Sequence, residues 1–176
     1  MTGEKADTTS ETTEIYLGLG SNLGDRMGNL TSAVWRLSRK MIIKKLSSIY
    51  DTQPVGYREQ PLFLNAVISA LTKLDPTELL SFVKMIENDL GRKPSFPNAP
   101  RPIDIDILFY GDRIIQTAEL IIPHPRIEER AFVLVPLAEI APELVHPVTH
   151  KKVEDLLVDI EDAAGIKRIG VLSLKR

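Results

Sequence analysis

The run Arg101-Pro102-Ile103-Asp104-Ile105-Asp106-Ile107-Leu108-Phe109 constrains this chain more than any other segment. Its apolar, β-branched character predicts a buried strand. Side chains alternate across a strand, so Asp104 and Asp106 share one face, with Ile103, Ile105 and Ile107 on the other. A lone buried carboxylate is costly, and two side by side repel. A divalent cation is the simplest compensation. Oxygen ligands from one or two carboxylates, completed by water and substrate phosphates, describe a magnesium site. Arg101, just upstream, is a ready partner for phosphate. Taken alone, Asp-x-Asp also fits a strand edge with both acids solvated. The isoleucines opposite put the acids on the less apolar side, where a cleft can lie.

The rest of the chain supplies the frame. Residues 15–19 predict a short strand and 20–26 a turn. Met27, Leu30, Val34, Leu37 and Met41 recur at helical spacing, predicting an amphipathic helix over 26–40. Residues 42–50 predict a strand, 51–61 a Pro/Gly loop and 63–71 an apolar strand. Asp75 reads as an N-cap with Pro76 at the first helical position, opening a helix that ends near 90–91. The long loop 91–102 holds four prolines and leads into the Asp-x-Asp strand. Gly111-Asp112 predicts a hairpin turn into 113–115, and Pro123-His124-Pro125 a rigid turn. A helix over 126–140 is expected to be interrupted at Pro136. A short helix over 153–160 and an extra strand over 166–174 complete the chain. The order β-α-β-β-α-β, counted to the Asp-x-Asp strand, matches the ferredoxin-like plan: an α+β fold with helices packed on an antiparallel sheet. A single domain over 15–176 is expected to follow a disordered polar tail over 1–14.

Composition narrows the function. At 176 residues the chain is long enough to bury a core, and its net charge of −2 offers no global field for nucleic acid. It has no cysteine, which excludes disulfides and zinc–thiolate sites and fits a cytoplasmic protein. No apolar run approaches membrane-spanning length.

Two more segments carry candidate chemistry. Gly18-Leu19-Gly20-Ser21-Asn22-Leu23-Gly24 resembles a Gly-rich phosphate loop. Its spacing is neither Rossmann nor Walker A, so a tight strand-to-helix turn outweighs direct ligand contact. Further on, a Pro/Gly loop (Thr52-Gln53-Pro54-Val55-Gly56) runs into Phe63 and Asn65, which fall on one strand face. An aromatic plane beside an amide suits a flat heterocycle, the ring stacking and the amide reading its edge. A core phenylalanine and a bulge-forming asparagine fit equally well.

Taken in order, the segments resemble the 6-hydroxymethyl-7,8-dihydropterin pyrophosphokinase family. They are Leu-Gly-Ser-Asn-Leu-Gly-Asp, then Pro-Val-Gly…Gln-Pro-x-Phe-Leu-Asn-Ala-Val, then Gly-Arg…Ala-Pro-Arg-Pro-Ile-Asp-Ile-Asp-Ile-Leu-Phe-Tyr-Gly. Pro123-His124-Pro125 and the stretch from Glu129 to Pro142 extend the likeness, which covers about residues 15–147. The resemblance implies transfer of a pyrophosphoryl group from ATP to the pterin hydroxymethyl oxygen, releasing AMP, with two magnesium ions held by Asp104 and Asp106. It implies that Phe63 and Phe132 sandwich the pterin, that Asn65 reads its edge, and that Thr52, Pro54 and Val55 form the remaining wall. Glu87, Ile107, His124 and Arg130 align with nucleotide-side positions, and Arg92 and Arg101 with arginines of a mobile catalytic loop. The expected partners are the two small substrates alone, with neither nucleic acid nor membrane, and the chain is expected to be a monomer.

Plainer readings stand beside these. Arg92 fits a cap on the second helix, Glu87 a solvated helix-face charge, and His124 a turn residue. Many family members carry a second arginine where Lys93-Pro94 stands, Trp-Gly where Asn98-Ala99 stands, and some a Tyr for Phe63. A metal-dependent nucleotide-sugar transferase would need a larger α/β domain. A ferredoxin-like RNA binder would show basic residues among sheet aromatics rather than an acidic pair.

Overall fold

β1 (Thr13–Ser21) lies between two other strands and runs two residues further towards each end than predicted, so Thr13 and Glu14 are strand rather than tail. The computed structural model describes residues 11–160 and 165–174; the rest of the expected tail, residues 1–10, lies outside the described residues. Asp25 caps α1 (Arg26–Leu37), its carboxylate accepting from the Gly28 amide at 3.0 Å. The single strand expected over 42–50 is two, β2 (Met41–Leu46) and β3 (Ser48–Thr52), both paired with β4 (Phe63–Thr72). Ser47 makes the break. Its amide donates to the Val67 carbonyl at 2.9 Å, and its hydroxyl accepts from the Val67 amide at 2.8 Å.

α2 (Pro76–Asp89) opens as its sequence predicts, with Asp75 and Glu78 forming a reciprocal capping box. The Asp-x-Asp run forms β5 (Asp104–Tyr110). The predicted hairpin partner does not pair with β5. Instead β6 (Ile115–Gln116) pairs with β7 (Ile121–Ile122), and the Gly111 amide closes β5 onto β1 by donating to Glu14 O at 2.8 Å. A 3-10 turn at Ile127–Glu129 precedes α3 (Ala131–Ile140). Pro136 does not interrupt α3. It removes one donor, the one that would serve the Phe132 carbonyl, while Val133, Leu134, Leu137 and Ile140 are buried on either side. α4 (Val153–Val158) and β8 (Lys167–Val171) follow.

The larger sheet is antiparallel in the order β5-β1-β4-β3-β8, with β2 beside β3 on β4. Counting β2 and β3 as one strand, the first four positions are the ferredoxin-like arrangement, and β8 extends it at the far edge. Helices cover both faces. α1 and α2 bury Ile15, Leu17, Leu19, Ile68, Ile105 and Ile107 on one side. On the other, α3 and α4 bury Tyr16, Val67, Leu108 and Phe109. A register shift at Tyr16/Leu17 is what lets Leu108 and Phe109 both join that second cluster. The N-terminal turn of α3 carries Phe132, which lines a pocket with Phe63, Asn65 and Asp104.

Candidate active site

Pairing across four strands builds the floor. Asp104 on β5 lies opposite Gly20 on β1, which lies opposite Asn65 on β4, which lies opposite Tyr50 on β3. In the next row, Asp106 faces Gly18, which faces Val67. Both aspartates therefore share a face with Asn65, and the glycines keep the space between them bare. A Cβ on Gly20 would stand 2.8 Å from Asn65 Oδ1, and one on Gly18 would stand 3.5 Å from Leu108. Gly18 falls in the strand as expected, while Gly20, expected in the turn, is strand too. They lie inside β1 and act by leaving out side chains.

Charge converges on the carboxylates. Arg92 Nη1 donates to Asp104 Oδ1 at 2.9 Å, and Arg101 Nη2 to Asp104 Oδ2 at 3.2 Å. Arg130 Nη1 stands 3.9 Å from Asp106 Oδ2. Glu87 is not a solvated helix charge: it is 2% exposed. It pairs with Arg92, accepts from the Ile105 amide at 3.0 Å, and meets Lys84 at 3.3 Å. Arg92 is thus more than a helix cap. Burial works against its charge, but Asp104 and Glu87 outweigh burial and hold the guanidinium above its ordinary range. Burial, then the neighbouring charge of Asp104, pushes the Asp106 carboxyl up to about 7. Burial and Arg130 push His124 down to about 4. Its Nδ1 accepts from the Arg126 amide at 3.3 Å, so the neutral ring carries its proton on Nε2.

Beside the carboxylates is a slot of about 40 Å³ lined by Thr52, Val55, Phe63, Asn65, Arg130 and Phe132, among others. Asn65 Nδ2 donates to Thr52 Oγ1 at 2.6 Å, which turns the amide within the slot. The two aromatic faces carry cations, with Arg101 centred 5.1 Å from the Phe63 ring and Arg130 5.5 Å from the Phe132 ring. The Nε donors of Arg101 and Arg130 are buried without a hydrogen-bond partner among the described residues. Such donors beside two carboxylates suit a ligand that brings both phosphate oxygens and metal. The slot opens into a cleft of about 710 Å³ whose walls include Pro54, Arg58, Arg126 and Phe132.

The donor set is selective about metal. Among the described residues no three His, Cys, Asp or Glu side chains gather as a metal site. Two adjacent carboxylates fit magnesium that takes its remaining ligands from water and phosphate, and fit poorly an all-protein cage. The structure therefore brings together Asp104, Asp106, Arg92, Arg101, Arg130, Phe63, Asn65, Thr52, Val55 and Phe132. Ile107 is different. Its side chain lies in the core under α1 and α2, on the face away from the carboxylates, so only its main chain can serve a ligand.

One residue was given no role of its own by the sequence, although it stands in the Gly-rich segment and in the Leu-Gly-Ser-Asn-Leu-Gly-Asp motif. Asn22 is 1% exposed. Its Oδ1 accepts from the Arg101 amide at 2.9 Å, and its Nδ2 donates to Gln60 Oε1 at 2.7 Å and to the Pro61 carbonyl at 3.1 Å. The sequence signal was its place in that motif, an amide at the end of an apolar strand.

Comparison with known proteins shows what the chain is similar to. The family model described as 7,8-dihydro-6-hydroxymethylpterin-pyrophosphokinase matches residues 16–142. A 2-amino-4-hydroxy-6-hydroxymethyldihydropteridine pyrophosphokinase of Aquifex aeolicus is 44% identical over 141 residues, covering 80% of this chain and 88% of its own. The protein of the same name from Bacillus subtilis is 46% identical over 136 residues, covering 76% and 81%. The folic acid synthesis protein of Dictyostelium discoideum is 43% identical over 88% of this chain, but the chain spans only 24% of that relative's length. The HPPK-DHPS of Plasmodium falciparum, crystallised with pteroate, shares the fold with a TM-score of 0.74 at 19% identity, over 90% of this chain and 46% of its own.

Proposed function

The chain belongs to the 7,8-dihydro-6-hydroxymethylpterin-pyrophosphokinase family, and from that premise we propose that it transfers pyrophosphate from ATP to 6-hydroxymethyl-7,8-dihydropterin, giving AMP and the pterin diphosphate in folate biosynthesis. One observation carries the reading. Paired carboxylates, guanidinium groups with free Nε donors and an aromatic–amide slot adjoin on one sheet face.

In the proposed reaction the hydroxymethyl oxygen bonds to the β-phosphorus of ATP. The bond from that phosphorus to the α–β bridging oxygen breaks, AMP leaves, and one proton is released overall. Asp104 and Asp106 would hold two magnesium ions, which when bound would supply charge neutralisation. The chain's own groups bind and orient. Phe63 and Phe132 flank the pterin, Asn65 reads its edge, and Thr52, Pro54 and Val55 close the wall. Arg92 and Arg101 meet charge that shifts in the transition state. Arg130, His124 and the main chain at Ile107 serve the nucleotide side, and Glu87 serves it by holding Arg92. No serine or cysteine nucleophile is required.

The proposed compartment is the cytoplasm, supported by the absence of cysteine. The proposed working unit is a monomer with its two small substrates. No helix among the described residues is long and apolar enough to cross a membrane.

The test is AMP release from ATP and magnesium, with and without 6-hydroxymethyl-7,8-dihydropterin. Pterin-dependent AMP that chelator abolishes is the expected result. Release of ADP instead would make the protein a simple kinase.

A further inference from the structure

Asn22 stands at the end of β1 and touches two loops that approach the slot from different directions. Its amide N–H donates to the Arg101 carbonyl at 3.2 Å while its side-chain Oδ1 accepts the Arg101 amide at 2.9 Å, so Arg101 is clamped from both sides of its main chain. Its Nδ2 holds the loop over residues 53–62 through Gln60 and Pro61. Gln60 continues the chain of contacts, its Nε2 donating to the Asn98 carbonyl at 2.9 Å. Tyr57 and Phe96 meet edge to face at 5.5 Å between the same two loops.

We propose that Asn22 is a positioning residue: it sets the main chain of Arg101 against β1 and ties the pterin-side loop to the nucleotide-side loop, so that the guanidinium arrives on Asp104 and the phosphates. The proposal rests on the pyrophosphokinase reading. An amide is the side chain that accepts from one loop while donating to the other. Aspartate offers no donor, and serine a single oxygen. The clamp has work to do. Residues 93–98 are exposed, and among the described residues the one backbone–backbone hydrogen bond within the loop before Arg101 runs from the Ala99 amide to the Phe96 carbonyl. An arginine side chain on an unanchored backbone would be spread over many rotamers.

Asn22→Ala is expected to lower kcat for pterin-dependent AMP formation by about tenfold to a hundredfold, the cost of misplacing a reacting group by about 1 Å. KM for magnesium–ATP should move by less than about threefold. Adding Asn22→Ala to Arg101→Ala should lower kcat by no more than about twofold further, because the first residue acts through the second. A kcat for Asn22→Ala within about twofold of wild type, or losses that multiply in the double variant, would overturn the proposal. Hydrogen exchange on the wild-type protein tests the clamp without any variant. The Arg101 amide should exchange far more slowly than those of Lys93 and Ser95; equal rates would overturn the proposal. If the wild type forms no pterin-dependent AMP, the pyrophosphokinase reading fails by itself. Slow exchange at Arg101, lost in Asn22→Ala, would still establish the clamp.

Discussion

Asp106 shows how far a side chain's chemistry depends on its surroundings. Burial and the charges of Asp104 and Glu87 raise its carboxyl to about 7, and Arg130 and Arg101 only partly offset them. Metal binding requires the carboxylate, so a proton must leave as magnesium enters. Apparent magnesium affinity in the presence of nucleotide is therefore expected to climb as pH rises towards 7 and to level off above it. A titration flat between about pH 5.5 and about pH 8 would mean that the Asp106 carboxyl is not held up near 7. Asp104→Ala or Asp106→Ala should each lower turnover by more than about tenfold, or about 1.4 kcal/mol of barrier. Turnover retained within that limit would remove the metal assignment. His124, by contrast, is pushed down to about 4 by burial and Arg130, which favours a neutral ring at neutral pH. Phe132→Ala should weaken pterin binding much more than ATP binding, and calorimetry with each ligand separates the two; equal losses would argue against the aromatic slot.

At the scale of elements, β1 works through what it omits. Gly20 pairs with both Asp104 and Asn65, and a methyl group there would press on Asn65 Oδ1 at 2.8 Å. Gly20→Ala is expected to turn the Asn65 amide away and weaken pterin binding by about tenfold, the order of one lost hydrogen bond to a buried amide. ATP binding should hold, and fluorescence titration of each ligand would show whether it does. α2 contributes Glu87 from its buried face and Arg92 from just past its end, where the Arg92 amide donates to the Glu87 carbonyl at 3.0 Å. The helix terminus thus aims the guanidinium at Asp104. Arg92→Ala should lower kcat more than it weakens ground-state ATP binding. α3 is anchored differently. Glu139 accepts from the Ser48 amide at 2.9 Å, from its hydroxyl at 2.7 Å and from the Tyr50 hydroxyl at 2.5 Å. These bonds fix the end of α3 furthest from Phe132 to β3, and the apolar face of the helix does the rest.

For the molecule as a whole, the site works against stability. A carboxyl whose pKa is raised by folding stabilises the fold while protonated, and that contribution is lost as pH rises through the folded value, here about 7. Asp106→Asn should therefore raise the melting temperature of the metal-free protein at about pH 8 and do much less at about pH 5, as scanning calorimetry can measure. An unchanged melting temperature at the higher pH would mean that Asp106 is not strained by its charge. The helix start at Asp75, the alternation over residues 103–107 and the order of strands and helices were legible in the chain because each depends on neighbours within a few positions. The break at Ser47, the pairing of β6 with β7 and the continuity of α3 through Pro136 were not, because each is settled by residues the local pattern does not contain. The same division runs through the site. The sequence by itself determined the Asp-x-Asp strand, the ferredoxin-like plan and the family, since periodicity and motif order are written along the chain. Only the tertiary structure decided that Gly18 and Gly20 form a bare floor, that Glu87 is buried behind Arg92, and that Asn22 holds Gln60 and Arg101, 38 and 79 residues away. Partners so distant are selected by how the elements pack, a choice no local propensity encodes.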